Sequence, residues 1–282
     1  MIKSVISLLI ALFILLVTTA VRAGSQAVIE LEVLENGNAR KYFEIVTFDD
    51  QRFRIDFVGE EKKVTEETPY IMTVDGGNTW VMGDKPKDKF YCSQVATDEF
   101  FKNLGGQVTN AEDYFNVKAE SPTIKQTLSE PGPEILGMKT THVRLETNAR
   151  AYAWFLFFKF EYTVKMIDDI WYTTDVEIHP IRKKWLNALT QSGNSIIDDL
   201  FTEVTVKLPG PVLRTKSRMD ITDVRKKKTK TYQETTIVTS LQDVEPAELD
   251  KIFMKPSCIQ MDDDEIQEKG KALLDARKLM LQ

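Results

Sequence analysis

Few side chains in this sequence could carry out acid–base chemistry or bind a metal. The 282 residues include two His and two Cys, which excludes a zinc site built from several Cys and His ligands. His142 lies in a strand pattern and His179 directly precedes Pro180, and neither belongs to a recognisable catalytic constellation. A lone His is more often a structural or surface residue than a catalytic one, and that is the prediction for both.

Carboxylates that are adjacent in the sequence are the other candidates. Paired acids such as Asp168-Asp169 and Asp198-Asp199 can divide acid and base roles. Sequence neighbours, however, point to opposite faces of a strand or sit in a turn, and a turn is the prediction for both pairs. The run Asp262–Asp264 could bind Ca²⁺, but it lacks a Gly-containing loop with spaced ligands and is predicted to cap a helix. No metal or cofactor is expected.

Signatures of the common enzyme classes are missing from the sequence. It contains no Gly-x-Ser-x-Gly elbow, no Walker loop, no dinucleotide-binding glycine fingerprint and no Ser-x-x-Lys. The net charge of −6 argues against a nucleic-acid binder, because affinity for phosphates is built from clustered Lys and Arg. With 42% apolar and 28% charged residues, the composition is that of a folded soluble protein rather than a disordered or membrane-embedded one. The missing signatures predict a protein that is not an enzyme.

The N-terminus indicates export. Lys3 precedes an uncharged run at Val5–Val21, and Val21-Arg22-Ala23 supplies the small residues that signal peptidase recognises. Cleavage after Ala23 is therefore predicted, with a periplasmic location, and an uncleaved membrane anchor is the alternative. In an oxidising compartment Cys92 and Cys258 are expected to form a disulfide, and two buried free thiols are the alternative.

Apolar and polar residues alternate along most of the remaining chain. Ile29, Leu31 and Val33 are separated by Glu30 and Glu32, as in a half-buried strand. Similar runs recur without alternating helices, which predicts a mainly β fold with some α: one antiparallel curved sheet or half-barrel of about ten to twelve strands, with helices covering the concave face. Residues 24–260 are predicted to form this domain, and residues 261–282 a C-terminal amphipathic helix.

The longest strand signal is Tyr152–Met166, where every even position is apolar or aromatic. A strand of that length would span ~50 Å, so it must curve strongly or break in two. One sheet face would then carry many aromatic side chains, and composition alone favours an ordinary core. The sharper hypothesis is a cleft for a hydrophobic ligand. Its predicted lining is Phe53, Phe57, Trp80, Tyr152, Trp154, Phe158, Phe160, Tyr162 and Trp185.

The segments between these strands give further predictions. Helices are expected to start at Thr97 and Pro246 and to cover residues 181–189. Val204–Leu208 is predicted to be a strand, and Glu120–Pro133 a surface loop. Arg225, Lys226, Lys227 and Lys228 lie at a hairpin tip, as a solvated turn or as a contact for anionic lipid headgroups or an acidic partner.

Several motifs together resemble a known superfamily. They are Arg54-Ile55-Asp56-Phe57, Tyr70–Gly76, Trp80-Val81-Met82, Gly137–His142, Ile170–Thr174 and Phe253–Pro256. The first three, in an exported chain, look like the LolA/LolB-like superfamily of the bacterial outer-membrane lipoprotein carrier and its receptor. The last three are similar to its secreted bacterial members with a domain of unknown function. The resemblance covers most of residues 28–258.

The resemblance implies a half-barrel with helices over its mouth that binds acyl chains or a hydrophobic peptide without catalysis. In the carrier an Arg near the early strands helps to hold the lid closed, and Arg52 and Arg54 are the nearest positions here. The prediction is a periplasmic protein that binds a lipid or lipoprotein acyl chain in its aromatic cleft. The alternatives are an envelope sensor or assembly module with a protein partner and, third, a hydrolase of an envelope polymer.

Overall fold

A computed structural model of the chain describes residues 24–35, 38–60, 62–84, 90–103, 106, 117–155, 158–254 and 259–260. The predicted signal peptide with Ala23, Cys258 and the predicted C-terminal helix lie outside the described residues. The strands are β1 (Ser25–Glu35), β2 (Asn38–Phe48), β3 (Phe53–Val58), β4 (Tyr70–Thr73), β5 (Thr79–Asp84), β6 (Tyr91–Ala96), β7 (Val117–Ala119), β8 (Thr123–Pro131), β9 (Thr141–Phe155), β10 (Phe158–Tyr172), β11 (Val212–Asp223), β12 (Lys228–Asp243) and β13 (Ile259–Gln260). The helices are α1 (Pro180–Leu189), α2 (Ser195–Lys207) and α3 (Pro246–Ile252), and residues 97–103 form a further helical segment.

The strands form one sheet that is not closed in the part of the chain described. Their order is β13-β6-β5-β4-β3-β2-β1-β12-β11-β10-β9-β7, and β8 also pairs with β9. Every pairing is antiparallel except that of β13 with β6. The predicted mainly antiparallel sheet is confirmed. Within the described residues the sheet has thirteen strands, where about ten to twelve were expected. β7 and β13 are too short to show alternation in the sequence, and β8 lacks it.

The two faces of the sheet differ in what covers them. Helices α1 and α2 pack on one face, called here the helix-bearing face, where strand and helix side chains form a single buried core. On the other face of β4 and β5, Tyr70, Met72 and Val81 form a second, smaller cluster. Period-two alternation explains this division: Phe53 and Ile55 of β3 belong to the main core, whereas Arg54 and Asp56 between them do not.

Helix α2 corrects a prediction. Val204 to Leu208 was expected to be a strand, but Val204 lies within α2 and Leu208 caps its C-terminus. The apolar residues Ile197, Leu200, Phe201 and Val204 have the 3, 4 and 7 spacing of a helix face and are all buried in the core. The Asn194 side chain accepts hydrogen bonds from the backbone of Ile196 and Ile197 and starts the helix, which also places Asp198-Asp199 in its first turn region rather than in a loop.

Two further segments differ from expectation. The segment Glu120–Pro133, predicted to be a surface loop, contains β8, whose polar, exposed side chains hide its strand character. The long run Tyr152–Met166 breaks into β9 and β10, which pair as a hairpin. Asp168-Asp169, predicted to be a turn, lies well inside β10, where the two residues pair with Leu145 and Arg144 of β9. Helices at residues 181–189 and from Pro246 are confirmed.

Candidate functional site

Three of the predicted cleft residues meet in the closed core. The rings of Trp80 on β5 and Trp185 on α1 lie 4.2 Å apart, and Phe53 on β3 contacts Trp80 at 6.1 Å between ring centroids. All three side chains are at most 4% exposed. Phe57 is half-buried and packs against the same core. These aromatic residues hold α1 against the sheet, and they do so without presenting an open surface.

The remaining predicted cleft residues lie on both faces of the β9–β10 hairpin. Tyr152 pairs with Glu161, and Ala153 pairs with Phe160. Because paired residues share a face and neighbours alternate, Tyr152 points away from the face that Phe160 and Tyr162 occupy. The Tyr152 hydroxyl donates a hydrogen bond of 2.8 Å to Glu120 instead. The backbones of Trp154 and Phe158 are part of the hairpin, and their side chains lie outside the described residues.

Phe160 and Tyr162 belong to a row of apolar side chains on the helix-bearing face. Their face follows from Ile170, which lies in the main core an even number of residues further along β10. Neighbouring strands add to the row through the pairs of Met166 with Met219 and of Met219 with Tyr232. This apolar strip consists of Phe160, Tyr162, Val164, Met166, Met219, Ile221 and Tyr232. Met219 is buried, and the other six are half-buried in the part of the chain described.

A row of polar side chains lies between the apolar strip and the main core on the helix-bearing face. Asp168 on β10 pairs with Ser217 on β11, which pairs with Glu234 on β12. Asp168 is 3% exposed, and its Oδ2 has no hydrogen-bond partner among the described residues. Burial raises the pKa of Asp168 to about 7, against a hydrogen bond from Ser217 that lowers it. Thr236, next to Glu234 on the same face, is fully buried.

This polar row was not predicted from the sequence, because two adjacent acidic residues are typical of a turn. The signal that reveals it is the alternation of β10, in which Asp168 takes the inward position between Met166 and Ile170. Asp169 takes the outward position, where Arg144 donates to it at 2.9 Å and His142 Nε2 lies 2.9 Å from its Oδ1. Burial raises the pKa of Asp169, but the bonds from Arg144 and His142 lower it more.

Both His residues have structural partners. His142 is stacked on Trp171, with ring centroids 4.4 Å apart, and its Nδ1 lies 3.2 Å from a carboxylate oxygen of Glu130. His179 is 1% exposed, caps α1 by accepting from the Ile181 backbone, and lies 2.8 Å from the Asp49 carbonyl. Burial lowers the pKa of His179. Within the described residues no group of three or more His, Cys, Asp or Glu is placed to hold a metal ion.

Arg52 and Arg54 both contact the segment that contains α3. Arg52 forms an ion pair of 2.8 Å with Asp250, and Arg54 Nη1 donates to the Ile252 carbonyl at 2.7 Å. Arg54 also forms a buried ion pair with Asp56 at 2.7 Å. Burial raises the pKa of Asp56, against the effect of Arg54. The two Arg side chains therefore attach α3 to β3, on the side of the sheet away from α1 and α2.

The basic run forms the turn between β11 and β12, at the other end of the apolar strip. Residues 224–227 make the turn, and Lys228 begins β12. The guanidinium of Arg225 lies 5.8 Å from the ring centre of Phe160, and Lys226 is 3.8 Å from Asp223. The strip thus runs from the buried polar row that contains Asp168 to the exposed basic turn.

Cys92 is fully buried in β6 and is bonded in a disulfide. Cys258 lies outside the described residues, so its pairing with Cys92 stays a prediction. The register of β13 supports it, because Gln260 pairs with Cys92 and brings the end of the domain to β6.

No described helix has the length and apolar character needed to cross a membrane. No protein-family model and no curated protein matches the sequence. Among solved structures, the chain is similar to PNGF-II, with 13% identity, a TM-score of 0.38, and coverage of 86% of this chain and 32% of that one. It therefore spans about a third of the PNGF-II chain.

Three other similar structures have lengths closer to that of this chain. A LolA superfamily protein of Nitrosomonas europaea has 11% identity, a TM-score of 0.26, and coverage of 83% of this chain and 91% of its own. A putative outer membrane lipoprotein-sorting protein domain of Vibrio parahaemolyticus has 8% identity, a TM-score of 0.25, and coverage of 82% and 90%. A DUF1329 family protein of Desulfovibrio piger has 6% identity, a TM-score of 0.20, and coverage of 84% and 90%. The structural neighbours thus include LolA superfamily proteins and a family with a domain of unknown function.

Proposed function

We propose that this chain binds the acyl chain of a lipid or lipoprotein along the apolar strip, without catalysing a reaction. The observation that carries the proposal is that aromatic and aliphatic side chains stay partly exposed on the helix-bearing face, which elsewhere is closed by α1 and α2. Covering such side chains with another apolar group is favourable by roughly 25 cal/mol for each Å² of apolar surface buried.

The dimensions of the strip fit one acyl chain. Phe160 and Met166 lie six positions apart on β10, which corresponds to about 20 Å at ~3.3 Å per residue. The acyl chains of one membrane leaflet span about 15 Å, half of a hydrocarbon core of about 30 Å. An extended chain would therefore contact the strip from Tyr162 to Met166 over most of its length.

The surroundings of the strip agree with a role in the cell envelope. The predicted signal peptide supports a periplasmic location, and the buried, disulfide-bonded Cys92 fits an oxidising compartment. The exposed basic turn at Arg225–Lys228 would bring the open end of the strip to an anionic membrane surface, where each basic residue contributes about 1 kcal/mol.

Two neighbouring residues of β10 provide a matched test. Met166 and Ile167 are both half-buried, but only Met166 lies on the helix-bearing face, because Ile167 pairs with Arg218 and Glu146 on the other. We expect Met166→Gln to weaken the binding of Nile red and of monopalmitin about five- to tenfold, and Ile167→Gln to leave it unchanged. Fluorescence titration measures both affinities, and native mass spectrometry measures the acyl adduct.

The outcomes separate the candidate functions. Equal weakening by both substitutions would contradict binding on the helix-bearing face. A purified mature protein that carries no acyl adduct, takes up none from phospholipid vesicles, and instead retains a protein partner on mild pull-down would support the envelope interaction module in place of the lipid binder.

A further inference from the structure

The row of Asp168, Ser217 and Glu234 is an unusual neighbour for an acyl chain. Asp168 directly continues the inward positions Phe160, Tyr162, Val164 and Met166 of β10, so an apolar ligand on the strip would end against its carboxyl group. Asp168 is only 3% exposed, and its Oδ2 has no hydrogen-bond partner among the described residues. A buried polar atom without a hydrogen bond is costly, and such atoms are rare in native structures.

The surrounding side chains limit what could complete this site. Ser217 already bonds the Asp168 carboxyl, and the Oγ1 of fully buried Thr236 also has no partner in the described part of the chain. Thr236 lies on β12, which is separated from β10 by β11, so its backbone is about 10 Å or more from that of Asp168 and one small group does not reach both atoms. A group that donates a hydrogen bond to Asp168 would satisfy its Oδ2.

We infer that Asp168 and Ser217 bind the polar head of the acyl ligand, and that this head is a neutral group that donates a hydrogen bond, an alcohol or an amide. This inference rests on the proposed function. Alcohols and primary amides donate a hydrogen bond and carry no negative charge, which matches the unpartnered Oδ2 of Asp168. An anionic head would lie beside Asp168 and Glu234 and would be repelled by any negative charge on them.

The opposite orientation of a ligand is the competing arrangement. The basic turn lies at the other end of the strip, and a carboxylate or phosphate head would be attracted there by Arg225 and its neighbours. The preference of the protein for neutral or anionic heads therefore distinguishes the two orientations, because the acyl chain itself is common to both.

A series of dodecyl compounds tests this preference in the unmodified mature protein. Dodecanol, dodecanamide, dodecanoate and dodecyl phosphate are compared as competitors of Nile red, each below its micelle concentration and at a pH above neutral. We expect the alcohol and the amide to bind roughly tenfold more tightly than the two anions, the difference that one hydrogen bond to a buried group makes. A preference for the anions, or no preference, overturns the inference.

Two neighbouring acids provide the matched variants. Asp168→Asn removes the ionisable group on the helix-bearing face and should bring dodecanoate to within about threefold of dodecanol. Asp169→Asn makes the same change on the opposite face, where Arg144 and His142 hold the carboxylate, and should keep the wild-type preference. A preference that survives Asp168→Asn overturns the assignment of the head to this residue.

The result also separates this inference from the proposed function. If all four compounds compete equally and Met166→Gln weakens their binding, the strip binds acyl chains but Asp168 does not distinguish between head groups, and the inference is wrong. If none of the four competes with Nile red, the acyl-binding function itself fails. Ser217→Ala provides a second variant, because it removes only the hydroxyl that bonds Asp168, and it should reduce the preference for the neutral heads without changing the binding of Nile red.

Discussion

The burial of Asp168 predicts how the stability of the protein depends on pH. Its pKa is raised from 3.8 to about 7 by burial, so the folded state keeps the proton over a pH range in which the unfolded chain has lost it. Stability from this group is fully present below pH ~4 and is lost as the pH rises through about 7. A shift of roughly three units at about 1.4 kcal/mol per unit corresponds to about 4 kcal/mol.

The substitution Asp168→Asn removes this dependence while it keeps the shape of the side chain. The free energy of unfolding is measured by urea denaturation. Between about pH 5 and pH 8 it should fall by about 2–3 kcal/mol more in the wild-type protein than in the variant, because most of the titration of folded Asp168 lies in this range. The stability of the variant relative to the wild type should therefore increase as the pH rises, whatever the stability of the variant at low pH.

Asp169→Asn is the control with the opposite sign. Bonds from Arg144 and His142 lower the pKa of Asp169, so its contribution is present above the unfolded pKa and is lost as the pH falls. The free energy of unfolding of this variant should differ from that of the wild type at acidic pH. Between pH 5 and 8 it should fall as it does in the wild type. If Asp168→Asn and the wild type lose the same stability over that range, the Asp168 carboxyl is not held in its neutral form by burial, and the reasoning is refuted.

Three further substitutions test the fold around the strip, each by the change in the free energy of unfolding. Arg54→Met should cost about 3–5 kcal/mol, because it leaves buried Asp56 without its ion-pair partner, and the double variant with Asp56→Leu should recover much of that loss. Asn194→Ala should cost about 1 kcal/mol, because Asn194 Oδ1 accepts from two backbone N–H groups at the start of α2, whereas Ser195→Ala should cost less. Gly210→Ala should cost about 1–3 kcal/mol, because the added Cβ would overlap the Thr173 carbonyl oxygen, and Gly59→Ala, which has open space, should be tolerated.

The sequence predicts the elements of this fold better than their pairing. Alternation identifies β1 and β10, which have one more buried and one wetter face, and the spacing in α1 identifies a helix. It also identifies β3, although the polar face of that strand, with Arg54 and Asp56, is buried. It fails for α2, where Val204, Val206 and Leu208 alternate by chance at the end of a helix, and for β8, where nearly every side chain is polar.

The candidate site shows the same limit. Tyr152 and Phe160 are both even positions in a run that looks continuous, yet the hairpin sets them on opposite faces, since Tyr152 pairs with Glu161. A one-residue change in register reverses every side chain of a strand, and nothing in local composition fixes that register. The burial of Asp168 is likewise a property of the neighbours that β11 and β12 bring to β10 from a distant part of the sequence.

The position of β1 has a consequence for how the chain must be made. Although it is the first strand among the described residues, it lies inside the sheet between β2 and β12, and Ser25 pairs with Asp243. During synthesis its eleven residues keep one row of backbone hydrogen-bonding groups open until nearly the whole domain has emerged. Such an edge is a template for pairing with other chains, and contacts between distant residues form slowly. We therefore expect a chain that ends before β12 to aggregate, because this edge of β1 then has no partner strand.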